Sequence, residues 1–140
     1  MKILAVDLGD AHTGLACCDR TETLASPIGI IHERSMPRVL AQVAAAVQEY
    51  QAMEVVVGYP KNMNNSLGPK AQQCEAFAKK LKELVDVPVI LWDERGTTVS
   101  AHNYLNTTDT RGKKREEVID AVAATIILDN YLVYRKNKAL

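Results

Sequence analysis

The part of this 140-residue chain that most limits its fold is 118–128, "VIDAVAATIIL". It reads as a helix that is apolar on nearly every side, and such a helix has to be buried against other structure. Asp120 stands inside it. A buried carboxylate is costly unless it is protonated, paired or bound to a metal. Glu116 and Glu117 lie one turn earlier, so like charges crowd one patch. Arg115, or an arginine from another element, is one possible counter-charge; a metal ion is another. Ala123 and Ala124 follow one turn on and let the helix pack close to a sheet.

A sheet is what the rest of the chain supplies. "KILAVDLG" is a short apolar run closed by Gly9, and reads as a strand. "TGLACCD" and "SPIGIIHE" are two more, and their short spacing suits an antiparallel meander. "SMPRVLAQVAAAVQEYQ" is a helix with Ser35 as N-cap and Pro37 in its first turn. "MEVVVGYP" is a buried strand with Gly58 and Pro60 shaping the turn after it. "KAQQCEAFAKKLKELV" is an amphipathic helix whose core stripe is Cys74, Phe77, Ala78, Leu81, Leu84 and Val85. "VPVILWDE" is the last strand. A short helix in "TTVSAHNYLN", a basic loop "TTDTRGKK" and a final helix from about Arg115 to Tyr134 complete the chain. Strands reached through helices pair in parallel. The expectation is therefore one α/β domain over residues 1–140. It has a five-stranded mixed sheet, three antiparallel strands and then two parallel ones, with helices on its faces.

Charge and cysteine usage narrow the functional classes. The formal net charge is zero, so any nucleic-acid contact has to come from a local basic patch. Three cysteines without a C-x-x-C pair suit free thiols in a cytoplasmic protein. No leader or membrane segment is expected. His12, His32 and His102 lack zinc-ligand spacing.

The carboxylates carry the chemistry. Asp7 ends the first strand on the face of Ile3 and Ala5. Asp93 and Glu94 end the last strand, and alternation sends them to opposite faces. Read alone, Asp7 is equally a surface residue starting a turn, and Asp93 a helix cap. Ligands of α/β sheets bind at the carboxyl ends of strands. Asp7, one of Asp93 and Glu94, and Asp120 would together form an all-oxygen site of three carboxylates, which favours Mg²⁺ or Mn²⁺. "TRGKKR" adds Arg111, Lys113, Lys114 and Arg115, read either as phosphate contacts or as a solvated charge run. "GYPKNMNNSLGPK" contributes Lys61 and Asn62 before a helix N-terminus. Trp92, in an apolar strand, reads as core.

Four stretches in order resemble the YqgF family of Holliday-junction-resolvase-like proteins, also described as pre-16S rRNA nucleases. They are "AVDLGDAHTGLA", "VVVGYPKNMNNSLGPKAQ", "LWDERGTTVSA" and "KKREEVIDAVAATIILDNYL". The resemblance implies a ribonuclease-H-like fold and an acidic triad at Asp7, Glu94 and Asp120, assisted by Asp93. It also implies one or two Mg²⁺ or Mn²⁺ ions and a role in maturing the 5′ end of 16S rRNA. The implied partners are nucleic acid, RNA ahead of DNA, and ribosomal precursor particles, with the protein a monomer or homodimer. One departure stands out: Ala11 and His12 occupy positions where the family commonly carries Lys-Arg. A fixed positive charge is lost there or becomes pH-dependent. Three rivals are a resolvase acting on branched DNA, a non-catalytic RNA-binding module, and a phosphotransferase of the sugar-kinase type. The last needs two such domains.

Overall fold

The run Ile3–Asp7 alternates two apolar sets with no polar residue before its last position, and it becomes the central strand β1. The computed structural model describes residues 1–59, 69–93 and 113–139, with side chains described throughout except at 59, 93, 113–121 and 139. Ile3, Leu4, Ala5 and Val6 have no exposed surface, as a strand covered on both faces requires. β2 (His12–Cys18) and β3 (Ala25–His32) follow as an antiparallel meander. Helix α1 (Met36–Glu49) leads to β4 (Glu54–Tyr59), and α2 (Pro69–Leu84) leads to β5 (Val89–Asp93). β4 pairs in parallel with β1, and β5 with β4. The sheet order is β3-β2-β1-β4-β5, an order the sequence leaves open.

Two apolar layers cover the sheet. Leu4, Val6 and Leu8 face one layer with Val55 and Val57, against α1 and α2. Ile3 and Ala5 face the other with Ala16 and Val56, against the last helix, α3 (Lys113–Ala139). Burial of Ala124, Ile127, Leu128 and Tyr131 marks the α3 stripe, at the spacing of one helical face.

Several details differ from the sequence reading. Helix α3 starts at Lys113 and runs five residues past Tyr134, so Lys113 and Lys114 belong to its first turn and not to a loop. Lysine and arginine are good helix formers, and basic runs extend the helix at both ends. Nor is α3 covered all round: Val122 and Ile126 are half-buried, and Val133 is 58% exposed. In α2, Leu84 is exposed, and Ala71 takes a place on the buried face instead. Ser35 is the N-cap residue of α1 without a side-chain cap bond. The backbone N–H groups of Arg34 and Ser35 donate to Glu33 Oε1 instead. The short helix and the loop expected within 94–112 lie outside the described residues.

At the end of the sheet where β1 begins, four elements meet in one ionic network. Arg135 of α3 donates from Nε to Glu22 Oε1 at 2.6 Å and from Nη1 to Glu54 Oε2 at 3.4 Å. The Met1 ammonium lies 3.2 Å from Glu22 Oε2. The Arg135 hydrogen bond, foremost, holds Glu22 below its ordinary value of 4.5. Its stabilisation is therefore present above pH 4.5 and is lost as pH falls through the lower folded value. Glu22→Gln should lower the unfolding free energy by roughly 1 kcal/mol at neutral pH, with the gap to wild type closing in acid. Arg135→Ala should cost roughly 3 kcal/mol, because the nearly buried Glu54 then loses this partner. Urea titrations across pH check both values.

Candidate active site

The site begins with strand register. Asp7 is directly opposite Gly14 on β2. On the other side, Val6 pairs with Val57, so the next step along both strands sets Asp7 beside Gly58. Gly58 is in turn paired with Trp92 on β5. The row Gly14, Asp7, Gly58, Trp92 thus crosses four strands on one face of the sheet. That face is the one covered by α3, because Ala5, Ala16 and Val56 lie on it two residues away in their strands. Asp7 is half-buried. A buried glycine therefore flanks Asp7 on each neighbouring strand, Gly14 on β2 and Gly58 on β4.

Helix α3 approaches the same face. Position 120 is four residues before Ala124, so it continues the stripe of Ala124, Ile127, Leu128 and Tyr131 by one turn toward the helix start. In β5, Ile90 and Trp92 pack in the α3 layer while Val89 packs in the other. Asp93, the last residue of β5, has the parity of Val89. Lys113, Lys114 and Arg115 open α3. Glu94, Lys61, Asn62 and Arg111 lie outside the described residues. Among the described residues no group of three His, Cys, Asp or Glu side chains converges; of the acidic triad, Asp7 alone has a described side chain. Its donor chemistry, a half-buried carboxylate oxygen at a strand end, fits a hard divalent cation.

Three features escape a reading of the sequence. Gly58 is expected there to shape a turn, but it lies inside β4, buried beside Asp7. Gly14 is its buried counterpart on β2. His32, on β3, pairs directly with His12, with ring centroids 5.0 Å apart and planes at 84°. The two-residue period puts His12 on the same face as Gly14 and Ala16, so both imidazoles border the α3 side of the sheet. The signal for this pairing is strand register, which a single sequence does not display.

The hairpin between β1 and β2 is held by a close backbone approach. Glu33 N–H donates to the Ala11 carbonyl at 3.0 Å. Lys70, in the first turn of α2, lies 3.8 Å from Asp10, an exposed pair of small energetic weight.

Comparison with known proteins bears on the same residues. A family model described as "RuvX: Holliday junction resolvase" matches residues 1–134. A Thermoanaerobacter pseudethanolicus protein named "Putative pre-16S rRNA nuclease" is 42% identical over 139 residues, covering 99% of this chain and 100% of that protein. Among solved structures, T. thermophilus RuvC in complex with Holliday junction substrate superposes with a TM-score of 0.63 at 15% identity, covering 98% of this chain and 96% of that one. The fowlpox virus Holliday junction resolvase superposes with a TM-score of 0.57 at 16% identity, covering 96% and 99%. At those identities the structural likeness establishes the fold, which is ribonuclease H-like. Among the described residues no helix is long and apolar enough to cross a membrane.

Gly9 gives the hairpin its most direct test. A methyl group on Gly9 would run into the carbonyl oxygen of His12, a backbone atom that cannot swing away. Gly9→Ala should therefore destabilise the protein by roughly 1–3 kcal/mol, read as a lower midpoint in urea. An unchanged midpoint would mean that the hairpin moves aside freely.

Proposed function

This chain belongs to the RuvX family of Holliday-junction-resolvase-like proteins, and on that footing we propose that it is a metal-dependent nuclease hydrolysing phosphodiester bonds. Asp7, Glu94 and Asp120 are the residues proposed to hold one or two Mg²⁺ or Mn²⁺ ions. The observation that carries this reading is the placement of Asp7 between Gly14 and Gly58, on the sheet face that α3 covers. Two further features support it. Position 120 extends the helix stripe packed on that face, and 94 is the next position with the parity of Ile90 and Trp92. Asp93 has the other parity and is left an assisting role.

The chain's own groups divide the work. β1 fixes the direction of the Asp7 carboxylate, with a glycine beside it on each neighbouring strand. A bound hard cation there lowers the pKa of a water and stabilises the leaving oxygen. Lys113, Lys114 and Arg115, at the start of the helix that carries Asp120, are proposed to grip backbone phosphates together with Lys61, Asn62 and Arg111. Ala11 and His12 stand at the positions where the family commonly carries Lys-Arg, and His32 packs against His12.

The substrate is proposed to be RNA at the 5′ end of pre-16S rRNA, within ribosomal precursor particles, following the name of the 42% identical relative. A second reading, cleavage of branched DNA, is favoured by the likeness to RuvC. Cleavage assays on precursor rRNA ends and on four-way DNA separate the two. Asp7→Asn should lower cleavage of the true substrate by roughly 100-fold or more. RNA binding that survives in this variant, with no metal-dependent cleavage by either protein, would leave a binding module.

Two measurements address the site without turnover. Mg²⁺ should raise the melting temperature of the wild type and not of Asp120→Ala, since binding to the folded state alone stabilises it; equal shifts would remove the metal role. Replacing Lys113, Lys114 and Arg115 by Gln should weaken RNA binding and flatten its salt dependence by about one slope unit for each phosphate no longer gripped.

A further inference from the structure

We propose that the aromatic cluster of Trp92, Tyr131 and Tyr134, with Lys138, is a stacking platform for an unpaired stretch of the nucleic-acid strand engaged at Asp7. The inference rests on the nuclease reading and adds a substrate feature to it: the strand is single-stranded some nucleotides away from the cleaved bond. Tyr131, Tyr134, Arg135 and Lys138 fall at i, i+3, i+4 and i+7 of α3, which is one helical face. Tyr131 is buried and anchors the cluster; Tyr134 is 44% exposed and presents its ring to solvent. Trp92 reaches both rings from β5, with centroids 5.3 Å from Tyr131 and 5.1 Å from Tyr134.

The sequence marks Trp92 as a core residue, and half of that reading stands. It closes the α3 layer, but it remains only partly buried, with the exposed Tyr134 against it. An apolar cluster that only sealed the layer would not need a tyrosine ring left in water beneath a cation. Lys138 Nζ lies 5.8 Å from the Tyr134 centroid. Arg135 stands 6.0 Å from the Tyr131 ring, but Glu22 and Glu54 already engage its charge. Among the described residues of this helix face, Lys138 is therefore the cation with charge to offer a phosphate. Exposed aromatic rings beside flexible cations suit single-stranded nucleic acid, because every base has a π-face. Base-paired strands keep those faces stacked inside the duplex.

Trp92 is the member of the platform nearest the candidate site; Tyr134 lies roughly 21 Å along α3 from position 120, beside the Arg135 network. Trp92, Gly58 and Asp7 share one row of the sheet on one face. Two inter-strand steps separate Trp92 from Asp7, roughly 10 Å.

Trp92 is the chain's one tryptophan, so its emission reports on the platform directly. The test uses the full chain carrying Asp7→Asn, so that bound strands stay intact, titrated with short oligo(U), oligo(dT) and a blunt duplex. Saturable quenching by both single strands, and none by the duplex, is the expected result. Quenching by oligo(U) alone would add selection for RNA at the same platform. Adding Tyr134→Ala or Lys138→Gln should weaken single-strand binding about 10-fold, and Tyr134→Phe should retain it. Tyr134 is exposed, so these variants keep the fold, which far-ultraviolet circular dichroism verifies. Unquenched Trp92 emission, or equal affinity with and without the Tyr134 ring, overturns the proposal even if the wild type cleaves. Quenching without cleavage by the wild type would discard the nuclease reading and keep the platform.

Discussion

Strand β1 is buried on both faces, and its two-residue period divides the molecule. Leu4, Val6 and Leu8 commit one side to α1 and α2, while Ile3 and Ala5 commit the other to α3. Asp7 inherits the second direction. A slip of one residue in the β1–β4 register would exchange the two sets and send Asp7 into the apolar layer beneath α1 and α2. Such a slip is prevented by the fully buried valines Val55, Val56 and Val57, each held against one β1 partner. The position of the carboxylate is thus a by-product of core packing along the strand, and the site needs no separate scaffold.

The two ends of the sheet are built differently. Near the start of β1, the Arg135, Glu22, Glu54 and Met1 network ties α3, the β2–β3 turn, β4 and the amino terminus together. Near the carboxyl end of β1, buried glycines take the positions beside Asp7.

Much of this is legible in the residues. The alternation of "ILAVD" and the helical spacings of the three long helices specify the elements, and the helix between successive parallel strands specifies the mixed sheet. The orientation of Asp7 follows from parity alone. Strand order, the His12–His32 pairing and the row through Gly14 and Gly58 do not, because each depends on register between segments far apart in sequence, and a one-dimensional pattern carries no register. Gly58 shows how this misleads: a glycine just before Tyr-Pro reads locally as turn chemistry, yet its pairing with Trp92 makes it part of the strand. The limits of α3 are misjudged for a related reason. Its terminal lysines and arginines have high helix propensity, but polar residues outside an apolar stripe leave no periodic mark.

The central claim is that Asp7, Glu94 and Asp120 share a hard cation on the α3 face of the sheet. A crystal structure with Mn²⁺, phased to show the anomalous signal of the metal, tests it without reference to turnover. The account predicts an anomalous peak at roughly 2.1 Å from an Asp7 carboxylate oxygen, with oxygens of Glu94 and Asp120 in the same coordination shell. An Asp120 side chain closed onto an arginine, with no peak beside Asp7 at saturating Mn²⁺, would contradict it.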